Sequence, residues 1–143
     1  MLVKNWMSRN VITVDINDTL STAATRQNQF GIRGLPVLNE NKLVGMVTSG
    51  DIKRASASNA TSLEVHELLF LIEKITVNEI MNTIPVTVSP FMTIVEVAQI
   101  LLKNKINSVP VLDEEDRLVG IITESDIFKV LISLSGSENR EID

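Results

Sequence analysis

Apolar and polar positions alternate along this chain in blocks whose period changes in the same order twice. "VITV" at 11–14 and "VTV" at 86–88 read as short strands. A helical period follows in each block. In the second, Ile94, Val97, Ala98, Leu101 and Leu102 fall on one face, and Thr93 with Glu96 has capping-box spacing at its start. The first block keeps Leu20, Ala23 and Ala24 but runs polar through "TRQNQ", which predicts a broader exposed face or one that meets a partner. Next come two strands, "LPVL" and "LVGMV" or "VPVL" and "LVGII", separated by the turn formers "NENK" or "DEEDR". A second helix then begins near Ser49 or Glu124.

The repetition extends to individual residues. Pro36 matches Pro110 at an offset of 74 and Gly45 matches Gly120 at 75, so one residue is inserted in the second acidic turn. At offset 74, Met7 meets Met81, Thr13 and Val14 meet Thr87 and Val88, and Ile32 meets Ile106. Two copies of this size predict a pseudo-symmetric pair that buries a shared face, and two are too few for a solenoid. The chain divides into a first motif over 1–56, a helical connector over 57–75, a second motif over 76–134 and a polar tail or linker over 135–143. Within the connector, Thr61 and Glu64 form another capping box, Leu68, Leu69 and Ile72 are spaced as a buried face, and Phe70 and Leu71 lie off it as candidates for a partner contact.

Composition narrows the function classes. The chain has 143 residues and no cysteine, which removes disulfides, thiolate metal sites and a cysteine nucleophile, and suits a reducing cytoplasm. A net charge of -5 argues against nucleic acid, and no apolar run reaches the length of a signal sequence or a membrane span. Neither a membrane nor a nucleic acid is therefore an expected partner. The single histidine, His66, has no companion ligands, "DEED" at 113–116 reads as a hairpin turn, and no triad or Gly-rich phosphate loop occurs. A catalytic role is not expected. The apolar second helix "DIFKVLISL" and the connector carry more hydrophobic surface than one small module buries, which predicts a homodimer.

The order strand, helix, two strands, helix, with each hairpin leading through G-x-x-T-x-x-D, resembles the cystathionine β-synthase (CBS) domain. It rests on Gly45, Thr48 and Asp51 and on Gly120, Thr123 and Asp126, each set preceded by a Pro-Val-Leu strand, and it covers nearly the whole chain. Two such motifs in tandem resemble a Bateman module, an α/β arrangement packed about a pseudo-twofold axis. The connector "TSLEVHELLFLIEKI" is similar to that of acetoin-utilisation (AcuB-like) CBS proteins, some of which continue into an ACT domain.

The resemblance implies a regulatory module that binds an adenosine-containing ligand, such as AMP, ADP, ATP or S-adenosylmethionine, with no obligatory cofactor and no metal. It implies two clefts. One would combine Thr48, Gly50 and Asp51 with Thr87, Ile106, Asn107 and Ser108; the other would combine Thr123, Ser125 and Asp126 with Thr13, Ile32, Arg33 and Gly34. Ile32 and Ile106 would flank the adenine, and backbone groups near Thr13 and Thr87 would read its edge. Each Thr sits where a strand enters a helix, so its hydroxyl and the exposed N–H groups can meet a phosphate, and each Asp can accept bonds from a ribose diol. Arg33 adds a planar cation suited to phosphate, where the other copy has neutral Asn107. The same Thr and Asp types also serve simply as helix caps, an arginine serves equally in a surface ion pair, and a ligand-free dimerisation module stays open as the alternative function.

Overall fold

The computed structural model describes residues 1–60, 64, 67, 70, 73–83 and 85–136. The chain forms two compact units: Ile12–Pro85, here the first unit, and Met1–Val11 with the chain from Val86 onward, the second.

In the first unit β1 (Val14–Asp15) lies parallel to β2 (Gly34–Asn39), with α1 (Leu20–Phe30) between them in the chain. β2 turns back antiparallel onto β3 (Lys42–Thr48), which runs directly into α2 (Ser49–Ala60). The hairpin turn places Glu40 and Asn41 both at positive φ, 50° and 67°, the type I′ geometry that follows strand twist. Val14, Leu20, Ala23, Leu35, Val37, Val47 and Ile52 form the core with Val77. Val77 opens the short helix α3 (Val77–Ile80).

The second unit repeats the plan. A single parallel bridge joins Val88 to Val111, so the expected strand over 86–88 is reduced to one pairing, as that over 11–14 is reduced to Val14 and Asp15. α4 (Ile94–Asn104) precedes the hairpin β4 (Ser108–Leu112) and β5 (Leu118–Thr123), which runs into α5 (Glu124–Ser135). The inserted residue lengthens the turn to Glu114, Glu115 and Asp116, with Asp116 at φ 59°, while the Asp113 N–H donates to the Arg117 carbonyl at 2.9 Å. This is the three-residue alternative to the I′ turn.

The leading segments of the repeats are exchanged. Val3, in a 3-10 turn over Val3–Asn5, is fully buried in the second unit's core and donates its N–H to the Met92 carbonyl at 2.9 Å. Val77, its counterpart at offset 74, is buried in the first unit and donates to the Asp18 carbonyl at 2.7 Å. Likewise Ser8 bridges Ile121, and Asn82 bridges Met46. The motif glycines permit this closeness: a Cβ at Gly45 would lie 2.7 Å from the Asn82 carbonyl oxygen, and one at Gly120 would lie 2.5 Å from Met7 Sδ. The compact units therefore do not follow a serial division of the chain.

Two expectations from periodicity are corrected. Leu102 is 81% exposed, because the stripe buried by α4 is centred on Ile94, Val97 and Leu101 and Leu102 stands at its edge. "TRQNQ" is not a plain polar face: Gln27, at the position of Leu101 in the other copy, is buried, and Arg26 donates to the Thr13 carbonyl at 2.7 Å and pairs with Asp18 at 3.2 Å. Of the connector, Thr61, His66, Leu68, Leu69, Leu71 and Ile72 lie outside the described residues. Phe70 is exposed, with Lys74 Nζ 4.3 Å from its ring centroid. Among the described residues no helix is long and apolar enough to cross a membrane.

Candidate functional site

In both units the second hairpin strand passes into a helix through a Thr–x–x–Asp turn. Thr48 accepts the Asp51 N–H on its hydroxyl at 3.1 Å, and the Asp51 carboxylate accepts the Thr48 N–H on Oδ2 at 2.8 Å. Thr123 and Asp126 repeat this reciprocal cap: the Asp126 N–H lies 3.4 Å from Thr123 Oγ1, and Asp126 Oδ2 accepts the Thr123 N–H at 2.9 Å. The next N–H in each helix is also engaged, Ser49 donating to the Arg33 carbonyl and Glu124 to the Asn107 carbonyl, each at 2.9 Å.

These bonds change the reading of the helix starts as open phosphate cradles. Three of the first N–H groups in each turn are consumed, which leaves those of Gly50 and Ser125 for an anion. They also fix which residues adjoin. Gly34 pairs with Thr48 and Ser108 with Thr123 across the hairpins. Ile32, Arg33 and Gly34 thus stand beside Thr48, Gly50 and Asp51 in the first unit, and Ile106, Asn107 and Ser108 beside Thr123, Ser125 and Asp126 in the second. Ile32 and Ile106 are half-buried against the cores of their units, and Arg33 is exposed.

The remaining candidates lie at the other strand of each unit. Thr13 is half-buried before Val14, and its carbonyl accepts one hydrogen bond from Arg26. Thr87 is exposed before Val88. Sequence reasoning passed over Arg26 and Gln27; the Gln27 amide lies 3.5 Å from the Arg33 carbonyl and backs the segment before Gly34. Their signal was the polar break at a position where the other copy carries leucine.

Asp51 and Asp126 differ in what else they hold. Asp51 Oδ1 takes the Arg54 guanidinium at 2.5 Å, whereas Lys129 Nζ stays 3.9 Å from Asp126 Oδ1, beyond hydrogen-bond reach. α4 and α5 also flank an apolar cavity of about 500 Å³, lined by Leu102, Ile106, Ile127 and Phe128. Among the described residues no cluster of acidic, His or Cys side chains could hold a metal ion.

Comparison with known proteins places this arrangement. The CBS domain family matches twice, over residues 3–58 and 77–133. A CBS domain-containing protein of Dictyostelium discoideum is 33% identical over 94% of this chain and 93% of its own length. The solved CBS domain pair of protein MJ0100, in complex with 5′-methylthioadenosine and S-adenosyl-L-methionine, is 34% identical, with a TM-score of 0.78 over 92% of this chain and 95% of that one. The structure of an acetoin utilization protein (AcuB) from Vibrio cholerae gives a TM-score of 0.80 at 30% identity, over 98% and 96% of the two chains. Other relatives are longer: in the inosine-5′-monophosphate dehydrogenase of Korarchaeum cryptofilum the match spans 23% of the protein. The doubled G-x-x-T-x-x-D turn, the exchanged leading segments and these matches have one reading: the chain belongs to the CBS domain family and carries two CBS motifs in tandem.

Proposed function

We propose that this CBS pair is a non-catalytic sensor of an adenosine-containing ligand, an adenine nucleotide or an S-adenosylmethionine-like compound. The observation that carries the reading is the rigid Thr–x–x–Asp turn present in both units. Each Asp is held through Oδ2 by its own helix cap, which fixes the carboxylate at the strand end; Oδ1 of Asp126 lies 3.9 Å from Lys129, and Oδ1 of Asp51 holds Arg54. A ribose diol is a matched donor for such a carboxylate. The solved neighbour with 5′-methylthioadenosine and S-adenosyl-L-methionine supports the ligand class. Binding acts here by shifting populations, and a ligand can move such an equilibrium only by its difference in affinity for the two states.

The protein acts as a homodimer in this proposal, through the second unit. Val95, Leu102, Phe128, Leu131, Ile132 and Leu134 on α4 and α5 are each more than half exposed. Large apolar side chains exposed together on two packed helices mark an interaction face. Among the described residues, α1 and α2 of the first unit offer nothing comparable beyond Phe30.

Thermal unfolding with adenosine, 5′-methylthioadenosine, S-adenosylmethionine, AMP, ADP and ATP tests the ligand class. A ligand at about 100 times its Kd stabilises by about 2.7 kcal/mol, a rise of several degrees for a chain of this size. No shift with any of the six would leave the ligand-free dimerisation module as the function. The grouping of Asp126 with Arg33 is tested by calorimetry on Asp126→Ala, Arg33→Ala and the double variant. If the two residues serve one site, both substitutions weaken the same AMP-binding event, and losses confined to two separate events exclude the grouping.

A further inference from the structure

The two Thr–x–x–Asp turns are alike in backbone and unlike in charge. In "TSGDIKR" the residue two after Thr48 is Gly50 and the residue three after Asp51 is Arg54; in "TESDIFK" the same places hold Ser125 and Lys129. The missing side chain at Gly50 has a consequence, since a Cβ built there would meet Arg54 Nη1 at 3.3 Å. The guanidinium lies over the start of α2, clasped by Asp51 Oδ1 at 2.5 Å, although the arginine side chain is 73% exposed. It therefore stands between solvent and the carboxylate oxygen that a diol would use. Around Asp126 the ammonium keeps its distance, and Oδ1 is not bonded to it.

We propose that Arg54 is a specificity-determining residue that makes the Asp51 turn selective for phosphorylated adenosyl ligands, while Lys129, its counterpart at the Asp126 turn, imposes no such selection. The proposal rests on the adenosine-ligand reading above. At Asp51 an incoming diol has to share or displace a counter-ion. A ligand that ends in a phosphate returns that loss, because the released guanidinium, close to the Cβ position of Gly50, pairs with phosphate oxygens in the fork geometry that suits them. A ligand with a neutral 5′ group offers the guanidinium nothing in return. At Asp126 no ion pair at hydrogen-bond distance has to be exchanged, so neutral and phosphorylated ligands meet the same carboxylate. Arg33 also stands beside this turn, so the test replaces Arg54 alone and leaves Arg33 in place.

The test isolates one turn at a time. In an Asp126→Ala background, calorimetry with adenosine and with AMP reads the Asp51 turn. There Arg54→Gln is expected to strengthen adenosine binding and weaken AMP binding, each by about three- to fivefold, the scale of an exposed ion pair gained or lost. In an Asp51→Ala background, Lys129→Gln is expected to leave the adenosine affinity within twofold. Thermal melts of the unliganded variants check that each is folded. If wild type binds none of the adenosyl compounds, the functional reading fails and this proposal fails with it. If wild type binds them but Arg54→Gln leaves the ratio of AMP to adenosine affinity unchanged, whether through parallel losses or no change, the ligand reading stands and the role of Arg54 is overturned.

Discussion

Replacing Gly45 with alanine probes the exchange of leading segments directly. A Cβ at this position would lie 2.7 Å from the Asn82 carbonyl oxygen, 2.7 Å from Met81 Sδ and 3.2 Å from Met81 Cγ. The methionine can turn aside; the carbonyl cannot do so freely. It accepts the Met46 N–H at 3.1 Å, and the Asn82 N–H donates back to the Met46 carbonyl at 2.8 Å. Ordinary contact begins at 3.4 Å, so the carbonyl must retreat by roughly 0.7 Å, which takes the first of these bonds beyond useful length.

Overpacking costs about 1–3 kcal/mol and a spoiled backbone hydrogen bond about 0.5–1.5 kcal/mol, while the lower unfolded-state entropy of alanine offsets about 0.5–1 kcal/mol. The net, at the middle of these ranges, is a loss of about 2 kcal/mol, or about 5–10 °C in Tm for a chain of this size. Gly120→Ala should cost less, because its closest neighbours are Met7 Sδ at 2.5 Å and Met7 Cγ at 2.9 Å, in a flexible side chain, with the Ser8 carbonyl oxygen at 3.0 Å. Calorimetric melts and urea titrations of both variants measure the difference. Combining each with truncation of its methionine adds a second criterion: Met7→Ala should couple strongly to Gly120→Ala, and Met81→Ala only weakly to Gly45→Ala. A Gly45→Ala protein that melts within a degree of wild type, or one more stable than Gly120→Ala, would refute the packing argument.

Lys105 closes α4 in the left-handed region at φ 54°, where the first copy has Gly31 at φ 62°. Lys105→Gly should relieve about 1–2 kcal/mol of backbone strain against about 0.5–1 kcal/mol of added chain entropy, raising Tm by a few degrees; a lower Tm would mean that the lysine side chain stabilises the cavity beside it. Asp113 is held below the usual carboxylate range, first by the backbone N–H of Arg117 and, against the opposing effect of desolvation, also by the Arg117 side chain and the Glu115 N–H. A depressed folded-state pKa means the turn's contribution is complete above the unfolded value of about 3.9 and is lost as pH falls from there through the lower folded value. The Tm gap between wild type and Asp113→Asn should therefore be constant from pH 7 to 5 and close below pH 4; a gap that persists in acid would show that charge is not what the turn uses.

The hairpins and helix starts were legible because their causes are local. A Pro-Val-Leu strand, an acidic or Asn-rich turn and a Thr three residues before an acid specify their geometry within a few residues, and the caps at Thr93 and Thr123 formed where that spacing put them. The exchange of leading segments was not legible, for a physical reason. Val3 and Val77 occupy equivalent places, so each fits either core, and pattern alone cannot say which copy a segment covers. The glycines held the clue. A tight backbone approach at Gly45 and Gly120 requires something to approach, and only the three-dimensional arrangement names Asn82 and Ser8. The candidate site divides the same way. The motif names Thr48, Asp51, Thr123 and Asp126 as candidates, but their bonds to each other and the guanidinium on Asp51 depend on side-chain directions that a spacing rule does not carry. A repeat therefore reveals its shared frame through sequence identity, while the differences that distinguish one copy's chemistry lie in the unmatched neighbours: Gln27 against Leu101, Gly50 against Ser125, and Arg54 against Lys129.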